Sequence, residues 1–599
     1  MISFSQPVSL DGLQAMSGAL AKRGPDHEGI WHDGRVGLVH RRLSIIDLSD
    51  AASQPMWDAT GRYAIVFNGE IYNYQELRGE LVRDGVSFRT TSDTEVLLAL
   101  YIRERAACLE RIRGMYAVAV WDTQTQELFF ARDRIGKKPF FYRHVPGELF
   151  WFGSELKAIT RAMPTRPDVD AAAIRLFLGL QYVPAPLTGF QGIASLPPGH
   201  WGTVSANGEL SIHAYHVWKR EPSFTGTMHE AAHETRRLLE QAVARRLIAD
   251  VPLGVFLSGG IDSTAVATLM AQQSASPIQT FTMGFPSFGA DERAEAALTT
   301  KRLGGECHTF EARPEASRAL VDTLVDLYDA PYADSSCLPT YLLAQQTHAH
   351  VKAVLTGDGG DESFGGYRRY RYFAQLDRVH ALDRSRIGAP LMRKLGGWLH
   401  DPRWTRAAST LTELDASYGR AYGSMFTGAY FSTPESVEYV ASRYTESLGV
   451  LGALEFDVRS YLPDDLNVKM DRATMAWGIE ARSPLLDQDL VEFACTLPRE
   501  FLFDRRSGKK VLCEALRGVV PEDVFARPKR GFQVPLAAWF CGPWRALFVE
   551  RCLPAHSKLW EFVEKSEVET LLTANDRGID HGNRMWMLLV LSTWLEHSS

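Results

Sequence analysis

The chain has 599 residues with 65 Lys and Arg against 72 Asp and Glu, and the resulting net charge of −7 argues against nucleic-acid binding through bulk positive charge. At roughly 100–200 residues per domain, this length accommodates several domains or two large ones. Seven cysteines, none two to four residues from another, exclude a disulfide scaffold or a local C-x-x-C zinc site as the organising principle.

The N-terminus, MISFSQPVSLDG, lacks the basic start and apolar run of a secretory signal. The runs 61–73, 114–122 and 127–136 are β-branched and aromatic and bounded by turn residues, so they predict strands, with a further strand-to-helix passage at 148–160. Between them, 91–112 has helical spacing, with Leu97, Leu98, Tyr101 and Ile102 on one face. Residues 1–160 therefore read as an α+β layered unit. The Pro- and Gly-rich stretch 181–201 reads as a connector, and 229–250 as an amphipathic helix. From 251 onward strands (251–260, 278–285, 306–312, and 349–367 ending in a Gly-rich turn) alternate with helices (261–273, 291–304), the pattern of a doubly wound parallel sheet. Residues 370–599 read as mostly helical. The apolar stretch 585–595 is too short to span a bilayer, and a soluble, reducing, cytoplasmic setting is expected.

Two Gly-rich turns carry the chemistry of the second half. SGGIDS (258–263) follows a strand and opens a helix, so its N–H groups, its hydroxyls and the helix N-terminus form an anion cradle. It lacks the Lys of G-x-x-x-x-G-K-[ST] and suits a pyrophosphate, with Asp262 placed to hold Mg²⁺; the plain alternative is an ordinary strand–turn–helix. TGDGGDE (356–362) also follows an apolar strand. If the two strands are neighbours, both turns meet at the C-terminal edge of the sheet, where ligands bind. Asp358 and Asp361 add carboxylates whose repulsion a metal would offset, unless the turn is a solvated acidic loop. In the first half, Asn68 and the Gly69 N–H of FNGEIYN (67–73) are placed for an oxyanion pocket. HRRLSIIDLS (40–49) puts Arg42 at the start of a strand, where such a residue is usually solvated. TSDTEV (91–96) puts Asp93 near a helix start, where it can equally be an N-cap.

The order RGPD, HRRLSIID, FNGEIYN, TSDTEV, SGGIDS, TGDGGDE, YLPDDLNVKMDRATMAWGIEARSPLLD resembles the glutamine-hydrolysing asparagine synthetase (asparagine synthetase B) family, from about residue 20 to about 545. The resemblance implies an N-terminal class II glutamine amidotransferase of the αββα sandwich type, residues 1–205, with its first strand truncated. It implies an ATP-pyrophosphatase-type synthetase, residues 206–599, with a parallel sheet and a helical extension. Ammonia released by the first would pass through an internal tunnel to an aspartyl-adenylate made by the second from ATP with Mg²⁺. Arg42, Asn68, Gly69, Glu70 and Asp93 would hold glutamine, with Arg42 on its α-carboxylate, Asp93 on its α-amine, and Asn68 and Gly69 as the oxyanion hole. Leu257, Ser258, Gly259, Gly260, Asp262, Ser263, Met283, Thr356 and Gly357 would bind ATP and pyrophosphate. Asp358 would act in catalysis, Asp262 and Asp361 would carry the metal, and Lys509, or in another register Lys510, would steady the acyl-adenylate. Asp465, Glu480, Arg482 and Asp487 fall in the family's helical fingerprint without an assigned role.

One departure stands against these matches. The family begins Met-Cys-Gly and uses that Cys, once exposed, as nucleophile, with its α-amine as base. This chain begins Met1-Ile2-Ser3-Phe4, its first cysteine is Cys108, and neither Ser3 nor Ser5 becomes terminal without extra cleavage. The expectation is a glutaminase half without activity in the polypeptide as written, or an upstream Met-Cys start. The loss of a first strand would also leave a sheet edge open. Expected partners are small molecules (aspartate, glutamine or ammonia, ATP) and a second copy as a homodimer, with no nucleic acid and no membrane. Three other readings compete with asparagine synthesis. They are amide formation on a different carboxylate in polysaccharide or natural-product biosynthesis, a non-catalytic descendant, and a tRNA-modifying pyrophosphatase, which would lack FNGEIYN.

Overall fold

The computed structural model describes residues 1–5, 7–285, 291–313, 320–382, 388–399, 402–527 and 534–598. The first half is a four-layer sandwich whose layers follow from strict alternation along its strands. In Tyr63–Ile71, Gly114–Asp122 and Glu127–Arg132, the side chains of Ile65, Phe67, Val118, Val120 and Phe129 pack against helices Tyr74–Arg83 and Asp93–Glu104. The residues between them, Ala64, Val66, Ala117, Ala119, Leu128 and Phe130, face the other way, onto Phe150 of the second sheet and Phe140 just before its strand Phe141–Val145. That sheet turns Trp151 outward to Met1, Leu13, Met16 and Ala158, under helices Leu10–Ala19 and Leu156–Thr160. The result is helices, six-stranded antiparallel sheet, four-stranded antiparallel sheet, helices.

Three expectations change here. The edge of the smaller sheet is not open, because Ile2–Ser3 pairs with Phe150 and Leu149. The Pro- and Gly-rich stretch 181–201 is not a connector. Its Ala194–Ser195 pairs with Tyr142 and Phe141, and His200–Val204 pairs with Glu127–Arg132. Such short strands carry too few residues for a period to show, and the prolines sit outside the paired positions. Finally, Leu210–Ala214 pairs with His200–Val204, so the division expected at 205/206 falls inside a hairpin of the six-stranded sheet.

The second half holds a five-stranded parallel sheet in the spatial order Glu306–Glu311, Gln279–Gly284, Leu253–Phe256, Ala353–Leu355, Glu480–Arg482. The chain winds outward from Leu253–Phe256 in one direction and then returns to its other side. The topological switch point therefore lies between Leu253–Phe256 and Ala353–Leu355, the two strands that feed the Gly-rich turns. The fifth strand, Glu480–Arg482, replaces the helix read from the fingerprint around it. Just before it, Asp457–Leu466 forms a π-helix, and the helix Gly582–His597 buries the apolar run 585–595 in the core. No helix among the described residues is long and apolar enough to cross a membrane.

The two halves meet across buried ion pairs. Arg23 and Lys138 hold Asp471 at 2.7 and 3.3 Å, Arg472 holds Glu155 at 3.0 Å, and Lys157 reaches Asp329 at 3.6 Å. Each of these pairs has one partner from each half; Glu155 is also held by Arg23 and Lys157 of its own half, and Asp329 by Arg472 of its own, whereas both partners of Asp471 named here come from the first half.

Candidate functional site

Two sites lie on either side of the interface. In the first half a cavity of about 150 Å³ is lined by Met1, Arg42, Asn68, Gly69, Glu70 and Asp93, together with Met475 and Glu480 from the second half. Arg42 is the last residue of strand Gly37–Arg42, not its first, and it is buried rather than solvated. Its guanidinium donates to the carbonyls of Ser49 (2.8 Å), Ile46 (3.3 Å) and Asp47, so the loop 43–49 fixes its direction. Asn68 donates to Ser154 Oγ at 3.3 Å. Gly69 has φ +153°, and a Cβ there would lie 2.0 Å from the Met115 carbonyl oxygen, so only glycine lets this strand pass its neighbour.

Asp93 is not the helix cap. Ser92 caps the helix by accepting from Thr94 N, while Asp93 Oδ2 accepts from the Ile71 N–H at 3.0 Å. Burial lifts Asp93 to about 6. Glu70 is buried, which pushes its carboxyl well above the usual range; its Oε2 accepts from Arg482 at 3.1 Å, and its Oε1 has no partner among the described residues. The cavity lining contains no cysteine. Glu480 had no assigned role in the sequence, although its spacing of two from Arg482 in GIEARSP is a strand period that places both on one face.

In the second half a cleft of about 1000 Å³ opens at the switch point. Leu257, Ser258, Gly260, Asp262, Ser263, Met283, Thr356, Gly357, Asp358, Asp361 and Lys509 all line it, whereas Gly259 stands back with its N–H on Glu292 Oε2 at 3.1 Å. The hydroxyls shape the first turn. Ser263 Oγ accepts from Ser258 N (3.1 Å) and lies 2.8 Å from Ser258 Oγ, which in turn accepts from Gly260 N (3.2 Å). Gly260 then opens the 13-residue helix Ile261–Gln273, whose N-terminus faces the cleft. The two turns touch: a Cβ on Gly357 would lie 2.6 Å from Ser263 N, and one on Gly360 would lie 2.8 Å from the Asp262 carboxylate.

Lys509 lies at the centre of the cleft. Its ammonium contacts Asp262 and lies 2.7 Å from Asp361. Burial opposes its charge, but the two carboxylates outweigh burial and hold the ammonium well above its ordinary value. Gly366 makes room, since a Cβ there would lie 1.9 Å from Asp361 Oδ1. Lys510, the alternative in the other register, points away to Asp504 at 3.4 Å.

Asp358 Oδ2 is buried with no hydrogen-bond partner among the described residues. Beside it, Lys469 pairs with Asp334 at 3.4 Å; both line the cleft, and the sequence reading missed both, since neither belongs to a Gly-rich turn. Asp465 is buried behind them, lifted to about 8 by burial and by Asp334, and it accepts from Tyr332 (2.6 Å) and Gln181 (2.7 Å). Asp487 caps the helix Gln488–Thr496 and pairs with Arg246 at 2.8 Å.

Among the described residues no group of three or more His, Cys, Asp or Glu forms a self-contained metal cage. Asp262 and Asp361 nevertheless converge on one cation, the Lys509 ammonium. Two hard oxygen donors of this kind suit Mg²⁺, which usually takes one or two carboxylates together with phosphate oxygens.

Comparison with known proteins gives two family matches. Residues 234–596 match the family described as asparagine synthase, and residues 1–216 match the glutamine amidotransferase domain. The chain is 32% identical to asparagine synthetase [glutamine-hydrolyzing] 1 of Bacillus subtilis, over 97% of this chain and 93% of that protein. It is 30% identical to asparagine synthetase [glutamine-hydrolyzing] 3 of the same organism, over 86% and 83%. It is also similar, at 28% identity over 94% of this chain and 89% of the other, to amidase chry2 of Gibberella zeae.

Proposed function

We propose that this chain, which belongs to the asparagine synthase family, makes asparagine from aspartate, ATP and ammonia. The observation that carries the reading is the meeting of the two Gly-rich turns at the switch point, around Lys509. Ser258 and Ser263 of the first turn line the cleft, and the N-terminus of Ile261–Gln273 faces it, an arrangement that suits the pyrophosphate. A side-chain carboxylate oxygen of aspartate attacks the α-phosphorus, and the bond to the bridging oxygen breaks to release pyrophosphate. Ammonia then attacks the acyl carbon, loses a proton, and AMP leaves with the electrons of the C–O bond. Lys509 steadies the charge that develops on the phosphate and on the departing AMP. Asp262 and Asp361 would hold Mg²⁺, which supplies neutralisation of phosphate charge when bound.

The cavity of the first half suits an amino acid. Arg42 is oriented for a carboxylate, Asp93 and Glu70 for an ammonium, and Asn68 with Gly69 for an oxyanion. We propose that the synthetase half takes ammonia, either free or released from glutamine. All seven cysteines are free thiols, which suits a reducing cytoplasm. The test is pyrophosphate release and product mass with Mg·ATP, a panel of carboxylic acids, and either ammonium or glutamine as nitrogen source. Aspartate with ammonium should yield asparagine and AMP, and no pyrophosphate from any acid would end the reading. A second reading, amide formation on another carboxylate, is favoured by the likeness to amidase chry2. It stands if aspartate fails while another acid gives an amide.

A further inference from the structure

Three carboxylates, Glu70, Asp93 and Glu480, line the cavity of the first half, and one of them belongs to the second half. Glu480 is on the same three-residue strand as Arg482, whose side chain is 0% exposed. The Arg482 guanidinium is shared four ways. Its Nε donates to Glu480 at 2.9 Å, its Nη2 to Glu70 at 3.1 Å, and its Nη1 to the carbonyls of Arg246 (2.9 Å) and Ile248 (2.7 Å). The lining also carries Arg23, Arg41 and Arg42, but Arg23 pairs with Asp471 at 2.7 Å and Arg41 with Glu28 at 2.9 Å, both outside the lining, and Arg42 donates to backbone carbonyls, which leaves Arg482 as the guanidinium that Glu70 and Glu480 share. An entering ammonium therefore competes with Arg482 for Glu70 and Glu480.

The backbone of the same strand belongs to the other site. The carbonyl of Arg482 accepts from Thr356 N at 2.8 Å, and Ser483 Oγ lies 2.9 Å from Thr356 Oγ1. Thr356 opens the TGDGGDE turn and lines the nucleotide cleft. Residues 480–483 thus reach the amino-acid cavity through Glu480, which lines it, and through Arg482, which holds Glu480 and Glu70, and reach the nucleotide turn through backbone and hydroxyl.

We propose that Arg482 is a positioning residue that couples the two sites, its guanidinium registering the charge in the amino-acid cavity and its backbone, with Ser483, transmitting that state to the Thr356 turn. The inference rests on reading the cavity as a glutamine site. The differential contact it requires is the exchange of Glu70 and Glu480 between two cations, the guanidinium and the ligand ammonium. Binding at either site then alters affinity at the other by one common factor.

The test is calorimetric titration of the full chain with L-glutamine, in the presence and absence of saturating magnesium and a non-hydrolysable ATP analogue, and the reverse titration. The wild-type chain should show a common coupling factor of about fivefold or more. Arg482→Lys keeps the charge but loses the fork. Ser483→Ala leaves the guanidinium in place and removes only the hydroxyl contact to Thr356, which guards against a folding defect in the first variant. Both ligands should still bind each folded variant, with the factor falling toward one. Independent binding in the wild type, or an unchanged factor in both variants, overturns the coupling while leaving the glutamine site intact. Absence of any glutamine binding to the wild type overturns the cavity reading, and the coupling with it.

Discussion

Replacing Lys509 by Met keeps most of the volume and removes the ammonium between Asp262 and Asp361. The three side chains are 8%, 16% and 19% exposed, so the two carboxylates would face each other with little water to screen them. Removing one partner from a buried ion pair costs about 3–5 kcal/mol. The partial exposure of both carboxylates places Lys509→Met near the lower bound, about 3 kcal/mol. In a chain of two interlocked halves this is read most directly as a lowered denaturant midpoint. A second signature separates this reasoning from a general packing defect. Two uncompensated carboxylates should attract Mg²⁺ more strongly, and a ligand at about 100 times its Kd returns about 2.7 kcal/mol. Magnesium should therefore raise the variant's midpoint more than the wild type's. Pyrophosphate release, measured with saturating ATP, aspartate and ammonium, should fall by about 10²–10³ or more, the usual loss when a charge-stabilising donor is removed. A variant with wild-type midpoint and turnover would refute the placement of Lys509 at the reacting phosphate. A destabilised variant that ignores magnesium would refute the assignment of Asp262 and Asp361 as its donors.

Gly357→Ala sets a methyl 2.6 Å from Ser263 N, so the two turns must part; ATP-analogue affinity should drop at least about tenfold in calorimetry while glutamine affinity holds within about twofold. Asp93, lifted to about 6 by burial, is ionised above that pH, so glutamine affinity should be flat near neutrality and weaken below pH 6, approaching tenfold per unit; an affinity constant from pH 5 to 7 would contradict its role toward an ammonium. Met1→Cys, expressed behind an initiator Met that aminopeptidase removes, places a terminal thiol and amine at the wall of the cavity beside Asn68 and Gly69. Glutamate release from glutamine should then appear in a coupled assay, and its absence with intact glutamine binding would show that Met1 does not mark the nucleophile position.

The parts of the fold that were legible are those where side-chain chemistry and backbone geometry coincide. The alternation in YAIVFNGEI and GMYAVAVWD sorted two faces, and two apolar strands each ended in glycines that the finished structure needs for turns in contact. Arg42 was placed at the wrong end of its strand, because an Arg bounding an apolar run reads the same from either side until its partners, the carbonyls of residues 46–49, are known. Glu480–Arg482 was hidden inside a helical composition, since three residues cannot establish a period and only the pairing with Ala353–Leu355 makes them a strand. Residues 181–201 misled for the opposite reason. Their prolines and glycines punctuate a path through two sheets, and punctuation without a following periodic run looks like a linker. Lys469 and Asp334 were illegible, because one stands on the helix Asn467–Met475 and the other in the loop before Cys337–Thr347, far apart in sequence.

The buried pairs joining Arg23, Lys138, Glu155 and Lys157 to Asp471, Arg472 and Asp329 bear on how this architecture can be recombined. A half grafted from a relative brings only one side of each pair that crosses the seam. Glu155, Arg472 and Asp329 keep partners in their own half, but Asp471 loses both Arg23 and Lys138, and a desolvated charge left so costs several kcal/mol against a domain stability of about 5–15 kcal/mol. Functional chimeras should therefore be confined to donors that match at Arg23, Lys138 and Asp471. The seam between the halves is thereby a more stringent filter on inheritance than the loops that connect them, and the two catalytic histories are constrained to travel as one gene.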